Sequence, residues 1–424
     1  MILAIAAAAL GADADLHGDV KTFFVTSVPV PFFETELPGF DAVDDPTGQG
    51  TLDVRLKGSL RLGEHWRFEA HHAVSAFNVP TAVGLGGTSS GVALTAPELI
   101  PLTWEPDTGA GLTIRGRTDR LTAKLSVPGV DLTLGRQPVT FGTGLIFTPM
   151  DVVNPFSAAT IDTEYKPGID AVRLDGYTGT AGRLSGVVAW ASASDLTEAR
   201  DRVTADDLIL ALNGQTTVGV TDVQLLAGAV RGEGVFGAGL VSAIGPIGVH
   251  GDATLTLPGL DARQDDPFVR AMIGADGRPT GTTGVSLEAY YQGLGAASPA
   301  GYLDVLGGPR AARAEIWQAG RWYGALAVSQ EVTPLVAASA ALIANLADPS
   351  ALLTGSLSWS SSDSTTVALG AFAGLGARPQ VQPLALDPDT QQVVLPPPAE
   401  LSEAVRSEYG LFPPAFFASM KAYF

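Results

Sequence analysis

A period-two alternation of side-chain character limits what this chain can fold into more than any other feature. Along residues 51–61, Leu52, Val54, Leu56, Gly58 and Leu60 fall on one side of an extended strand, and Asp53, Arg55, Lys57, Ser59 and Arg61 on the other. Successive strand side chains point to opposite faces, so one face suits lipid and the other water. After the short break Leu62-Gly-Glu-His65 the pattern resumes with Trp66, Phe68 and Ala70 against Arg67, Glu69 and His71, which reads as a hairpin. Similar segments recur near 15–26, 116–127, 130–137, 169–177, 184–192, 222–230, 235–243, 247–257, 267–275, 283–292, 320–330, 335–345, 351–360, 365–375 and 413–424.

Together with 51–61 and 66–77 these make seventeen strands. A single-chain bacterial barrel with both ends on one side of the membrane needs an even number, with short turns on one rim and long loops on the other. Traced from the N-terminus, the long connections 27–50, 78–115 and 138–168 share a rim; traced from the C-terminus, so do 376–412, 348–350 and 293–319. The traces agree only if one more strand lies between 193 and 221. Asp207-Leu-Ile-Leu-Ala-Leu212 is the candidate, although the same residues suit a loop helix. The expected fold is all-β: a transmembrane antiparallel β-barrel over 15–424 with about 18 strands, or 16 if that segment is helical.

Composition narrows the class further. The 424 residues carry a net charge of −19 and no cysteine, which excludes disulfides and thiolate chemistry and argues against nucleic acid, whose binding needs clustered cations. Past the N-terminus no apolar run approaches the roughly 20 residues of a membrane helix. Residues 1–14, an apolar stretch ending in Ala12-Asp-Ala14, have the layout of a signal peptide without its basic start, with cleavage expected after Ala14.

A soluble β-sandwich or solenoid also alternates, so the last ten residues matter. Phe416, Ala418, Met420, Ala422 and Phe424 alternate with Phe417, Ser419, Lys421 and Tyr423. This resembles the C-terminal assembly signal of outer-membrane barrels, and the resemblance implies that Phe416, Met420, Tyr423 and Phe424 present an edge for strand addition by the barrel-assembly machinery.

A second segment, Leu134-Gly-Arg-Gln137 leading through Phe141, Phe147, Met150, Asp151, Asn154 and Phe156 to Asp162-Thr-Glu-Tyr-Lys-Pro-Gly-Ile-Asp170, is similar over about 35 residues to a pattern of proteobacterial porin-like barrels. The resemblance implies a barrel but no particular solute. Its Gly and Pro residues break regular pairing, whereas Phe141, Leu145, Ile146, Phe147, Met150, Val152, Val153 and Phe156 are too apolar for a free loop. The 138–168 segment therefore packs, either inside the lumen as a constriction or over the mouth as an Ω-like loop.

Inward-facing cations gather in the first third: Arg55, Lys57, Arg61, Arg67, Arg120 and Lys124, with Arg136 and Arg173 nearby and acids Asp53, Glu69, Asp119, Asp131 and Asp175 among them. Such a set reads either as a selectivity wall acting by its field or as cross-strand ion pairs. The histidines, His17, His65, His71, His72 and His250, form no catalytic or metal signature, and no Gly-x-Ser-x-Gly elbow is present.

The functional expectation is an outer-membrane channel for passive diffusion of small solutes. It takes no cofactor or metal, and its partners are outer-membrane lipid, lipopolysaccharide and the assembly machinery. The alternatives are a closed barrel acting as adhesin, scaffold or polymer-export partner and, less favoured, an outer-membrane enzyme.

Overall fold

The alternating segments pair in sequence order into one antiparallel sheet that closes on itself. The structure, a computed structural model, describes residues 12–34, 46–78, 98–109, 111–153, 165–166, 168–190, 207–259, 266–312, 315–386 and 393–424. The wall strands are β1 (Ala12–Ser27), β2 (Thr47–Leu62), β3 (Trp66–Phe77), β4 (Thr113–Val127), β5 (Val130–Gln137), β6 (Ile169–Thr178), β7 (Gly182–Trp190), β8 (Leu208–Val218) and β9 (Thr221–Val230). They continue as β10 (Glu233–Ile244), β11 (Ile247–Leu257), β12 (Phe268–Gly277), β13 (Thr283–Gln292), β14 (Trp322–Thr333), β15 (Val336–Asn345), β16 (Ser350–Ser362), β17 (Thr365–Leu375) and β18 (Ala415–Tyr423). Strand β18 pairs with both β17 and β1, which shuts the barrel. The sheet has nineteen strands in all, the extra one being the two-residue Thr103–Trp104 laid beside β4, so eighteen form the wall.

The segment after Asp207, Leu208–Leu212, is a strand and belongs to β8, paired with β7 and β9. Connections longer than four residues at one rim (28–46, 78–112, 138–168, 191–207, 258–267, 293–321 and 376–414) contrast with turns of two to five residues at the other. The long-loop rim also carries two tight connections, Arg231-Gly232 and 346–349. Arg231 has φ 52° and Gly232 φ 78°, the left-handed pair of a type I′ hairpin turn. Strand β1 begins at Ala12, with Ala12 opposite Leu62 and Ala14 opposite Leu60, so the cleavage point expected after Ala14 falls inside it. Residues 1–11 lie outside the described residues.

Lipid and lumen faces follow the alternation. In β1, Phe24 is 51% exposed while Phe23 and Val25 are 5% and 6% exposed. Leu52 and Leu56 of β2, Leu210 and Leu212 of β8, Leu225 of β9, Ile273 of β12 and Leu369 of β17 all stand exposed on the outer face. A water-soluble sheet would bury this many large apolar side chains; a barrel in a bilayer presents them to lipid chains, and closure leaves no unpaired backbone at that depth. Leu56→Arg is therefore expected to destabilise the barrel by about 2–4 kcal/mol near the midplane, whereas Ser59→Arg, on the inner face, is tolerated. Denaturant unfolding in lipid measures both, and equal costs would mean that the faces are exchanged.

Candidate functional site

Two walls of different character enclose the lumen. From β6 to β14 the inner face is covered by a layer of the chain itself, the described part of the 138–168 connection. Val139, Phe141, Met150, Val152 and Val153 pack in one cluster with the inward side chains Ala171, Val187, Ala189, Ile209, Ala211, Leu226, Val230 and Val235. Further along, Phe147 stacks on Tyr290 at 4.8 Å between ring centroids and lies 6.2 Å from Tyr323.

The tip of this layer is held by charge. Five successive backbone amides, Thr143 to Phe147, donate to two carboxylates that project inward from strands. Asp252 of β11 accepts from Thr143 N at 2.7 Å, Thr143 Oγ1 at 2.9 Å and Gly144 N at 3.3 Å. Glu288 of β13 accepts from Leu145 N at 2.7 Å, Ile146 N at 3.1 Å and Phe147 N at 2.8 Å. Both acids are buried, and such burial is sustainable only because the amides, and His250 Nε2 at 3.1 Å from Glu288, fill the acceptor positions. Gly144 permits the turn, since a Cβ there would sit 1.8 Å from the Phe147 carbonyl oxygen.

Further back, Lys166 Nζ ties the two arms of the connection together through Asp151 at 2.5 Å and the Val139 carbonyl at 2.8 Å. Arg231, from the tight hairpin turn, donates to the Val153 carbonyl at 3.1 Å. Of the six constriction residues proposed from sequence, Phe141, Phe147, Met150 and Asp151 are buried in this layer; Asn154 and Phe156 lie outside the described residues.

The opposite wall, on β1 to β5, carries the basic set, and most of it is paired. Arg55 bonds Asp119, Lys57 lies 2.7 Å from Asp19, Arg67 2.6 Å from Glu69 and Lys124 2.8 Å from Asp131. Arg120 donates to the main-chain carbonyls of Asp119 at 2.9 Å and Lys166 at 2.5 Å, and Arg61 is exposed near the short-turn end of β2.

Arg136 belongs to the wall fabric. It chelates Asp170 with Nε and Nη2 at 2.9 Å each, and also reaches Glu98, the Thr118 carbonyl and the Ile100 carbonyl. Gln137 donates to the Ala171 carbonyl at 3.1 Å. The Leu134-Gly-Arg-Gln137 motif thus welds β4, β5 and β6 where the connection leaves the sheet.

Two other connections, 293–321 and 376–414, pack into the same end. Tyr302, Ala319, Val405, Tyr409, Leu411 and Phe412 share one apolar cluster with the inward Tyr323, Ile343, Leu352 and Phe372. Glu408 sits among them, accepting from Tyr323 Oη at 2.5 Å, Asn345 Nδ2 at 2.6 Å and Ala319 N at 2.8 Å. Burial lifts its carboxyl to about 7 against the pull of those bonds. Sequence reasoning missed Asp252, Glu288 and Glu408; inward parity on a strand was the only signal for the first two, and Glu408, in a connection, carried none.

At β18, Phe416, Met420 and Phe424 stand exposed on the outer face, while Tyr423 lies on the inner face opposite Asp19. Among the described residues no group of three or more His, Asp or Glu is arranged to hold a metal ion.

No protein-family model matches the sequence, and no curated protein matches it either. Solved structures do match over 97% of this chain and 98% of theirs. They include OpdK of Pseudomonas aeruginosa with vanillate (11% identity, TM-score 0.55), OccK8 (OprE) of the same organism (9%, 0.56) and OccAB4 of Acinetobacter baumannii (7%, 0.53). At such identities the likeness speaks for the fold. The closed eighteen-stranded wall, its apolar outer face and this likeness give the chain a porin-like β-barrel fold.

Proposed function

We propose that the chain is a channel through which small solutes cross the outer membrane by passive diffusion, with the 138–168 connection setting the narrowest cross-section. The observation that supports this reading is the docking of residues 143–147 on Asp252 and Glu288. A barrel of 16–18 strands encloses an aqueous lumen, and a segment fixed against its inner wall by buried charge narrows that lumen without needing to seal it. Selectivity then rests on lumen width and on the charged wall facing the loop layer.

Reconstitution in planar bilayers tests the proposal: discrete current steps are expected, and a flat trace across salts and voltages would sink it. A second reading, a closed barrel serving as scaffold or adhesin, draws support from the 293–321 and 376–414 connections, which pack apolar side chains and Glu408 into one end. The flat trace is the outcome it requires.

The charged wall gives a sharper expectation. Neutralising Arg55, Lys57 and Arg120 together removes three positive charges from this wall and leaves Asp119 with Arg117 and Asp19 with Lys421, so the reversal potential in a salt gradient should move towards cation preference. An unchanged reversal potential would assign these cations to holding the wall alone.

A further inference from the structure

One side chain of the 138–168 connection is placed as a ligand would be. The Tyr165 ring lies under two guanidinium groups, Arg55 Cζ at 3.7 Å and Arg120 Cζ at 4.5 Å from its centroid, with Lys57 Nζ at 5.9 Å. A hydrogen bond of 2.5 Å joins its hydroxyl to His71 Nδ1. Cations over an electron-rich ring attract its quadrupole, more strongly when partly desolvated as here.

The receiving groups stand on three adjacent strands, β2, β3 and β4, and two of them are held independently of the ring. Arg55 is fixed by Asp119, and Arg120 donates to the Asp119 carbonyl as well as to the Lys166 carbonyl next to the ring, so none of these bonds involves the Tyr165 side chain. The site therefore keeps its shape when the ring leaves, which is the condition for preorganised binding.

We infer that Arg55, Arg120 and His71 form a binding site for a small phenolic solute and that Tyr165 occupies it as an internal ligand. The two cations select a planar electron-rich ring, and His71 selects a hydroxyl on its edge. An incoming phenol exchanges with Tyr165, so the apparent affinity of the native protein is lowered by the fraction of time that its own tyrosine is seated.

The test uses the folded full-length barrel in detergent and calorimetric titration with uncharged probes: 4-hydroxybenzamide, benzamide and cyclohexanecarboxamide. Tyr165→Ala is expected to bind 4-hydroxybenzamide about tenfold more tightly than the unaltered protein, the size of a competing internal ligand seated some nine-tenths of the time. Benzamide should bind more weakly and cyclohexanecarboxamide not at all. Adding Arg55→Met and Arg120→Met to Tyr165→Ala should abolish binding in protein that still shows a heat-modifiable band. Tyr165→Phe, which keeps the ring and loses the hydroxyl, should fall between the unaltered protein and Tyr165→Ala.

Equal affinities in the unaltered protein and Tyr165→Ala overturn the inference. So does absence of binding in both, or binding that survives loss of the arginines. The inference stands apart from the channel reading, because a barrel that binds the phenol yet carries no current keeps the site and loses the channel, and one that conducts without binding does the reverse.

Discussion

Deleting Ala415–Phe424 is expected to abolish membrane insertion, with no heat-modifiable folded species in the outer-membrane fraction. Strand β18 is the seam of the barrel: its residues face β1 from Asp19 opposite Tyr423 to Ser27 opposite Ala415, and β17 from Thr365 opposite Ala422 to Phe372 opposite Ala415. The last residue takes part too, since Phe424 N donates to the Gly18 carbonyl at 2.9 Å and Gly18 N to the Phe424 carbonyl at 2.8 Å. Its ring lies over Gly18, where a Cβ would come within 2.6 Å of Cζ.

Without the seam, β1 and β17 both present unpaired amides and carbonyls at bilayer depth, each costing several kcal/mol. No rearrangement of the remaining seventeen strands restores an even up-and-down wall. A folded, heat-modifiable band from the truncated chain would show that the seam closes some other way.

The second large effect concerns the loop tip. Asp252→Asn combined with Glu288→Gln preserves shape but replaces one acceptor oxygen of each carboxylate by an NH₂ donor that faces backbone N–H groups. Hydrogen bonds to charged partners are worth about 1.5–3 kcal/mol each, so weakening those to residues 143–147 should cost the docked state on the order of 5 kcal/mol. Both side chains point inward, and the wall itself should stay folded and heat-modifiable. The expected single-channel record is a larger and noisier conductance than that of the unaltered protein. An unchanged conductance would place the docked segment outside the path of the current.

The wall was legible in the sequence because lipid on one side and a polar lumen on the other force alternation. The hesitation over 207–212 has a physical cause. In β8, Leu210 and Leu212 face outward, while Ile209 and Ala211 face inward into the cluster that receives Val152 and Val153 of the loop layer. Both faces are apolar, so the period-two signal vanishes where a strand is covered on its inner side.

The basic wall was legible as charge but not as pairing, because Arg55 finds Asp119 64 residues away. In the sequence Asp252 is one inward polar residue among His250, Thr254 and Thr256, and Glu288 falls between Ser286 and Tyr290 on its own strand. Nothing local announces that their partners are amides of a glycine-punctuated connection. Arg136, grouped by sequence with the lumen cations, instead reaches Asp170 34 residues on, in the plane of the wall.

The separation of the loop tip from its anchors sets an order of assembly. Thr143 and Asp252 are 109 residues apart, and Phe147 and Glu288 are 141 apart, with the whole of β6 to β10 between them. The anchors come within reach only after those strands have lined up, so the tip cannot serve as a nucleus; such distant contacts pay their loop-closure entropy late. The tip therefore docks after the strands that carry its anchors are in place, and the wall that receives it must be stable while still empty.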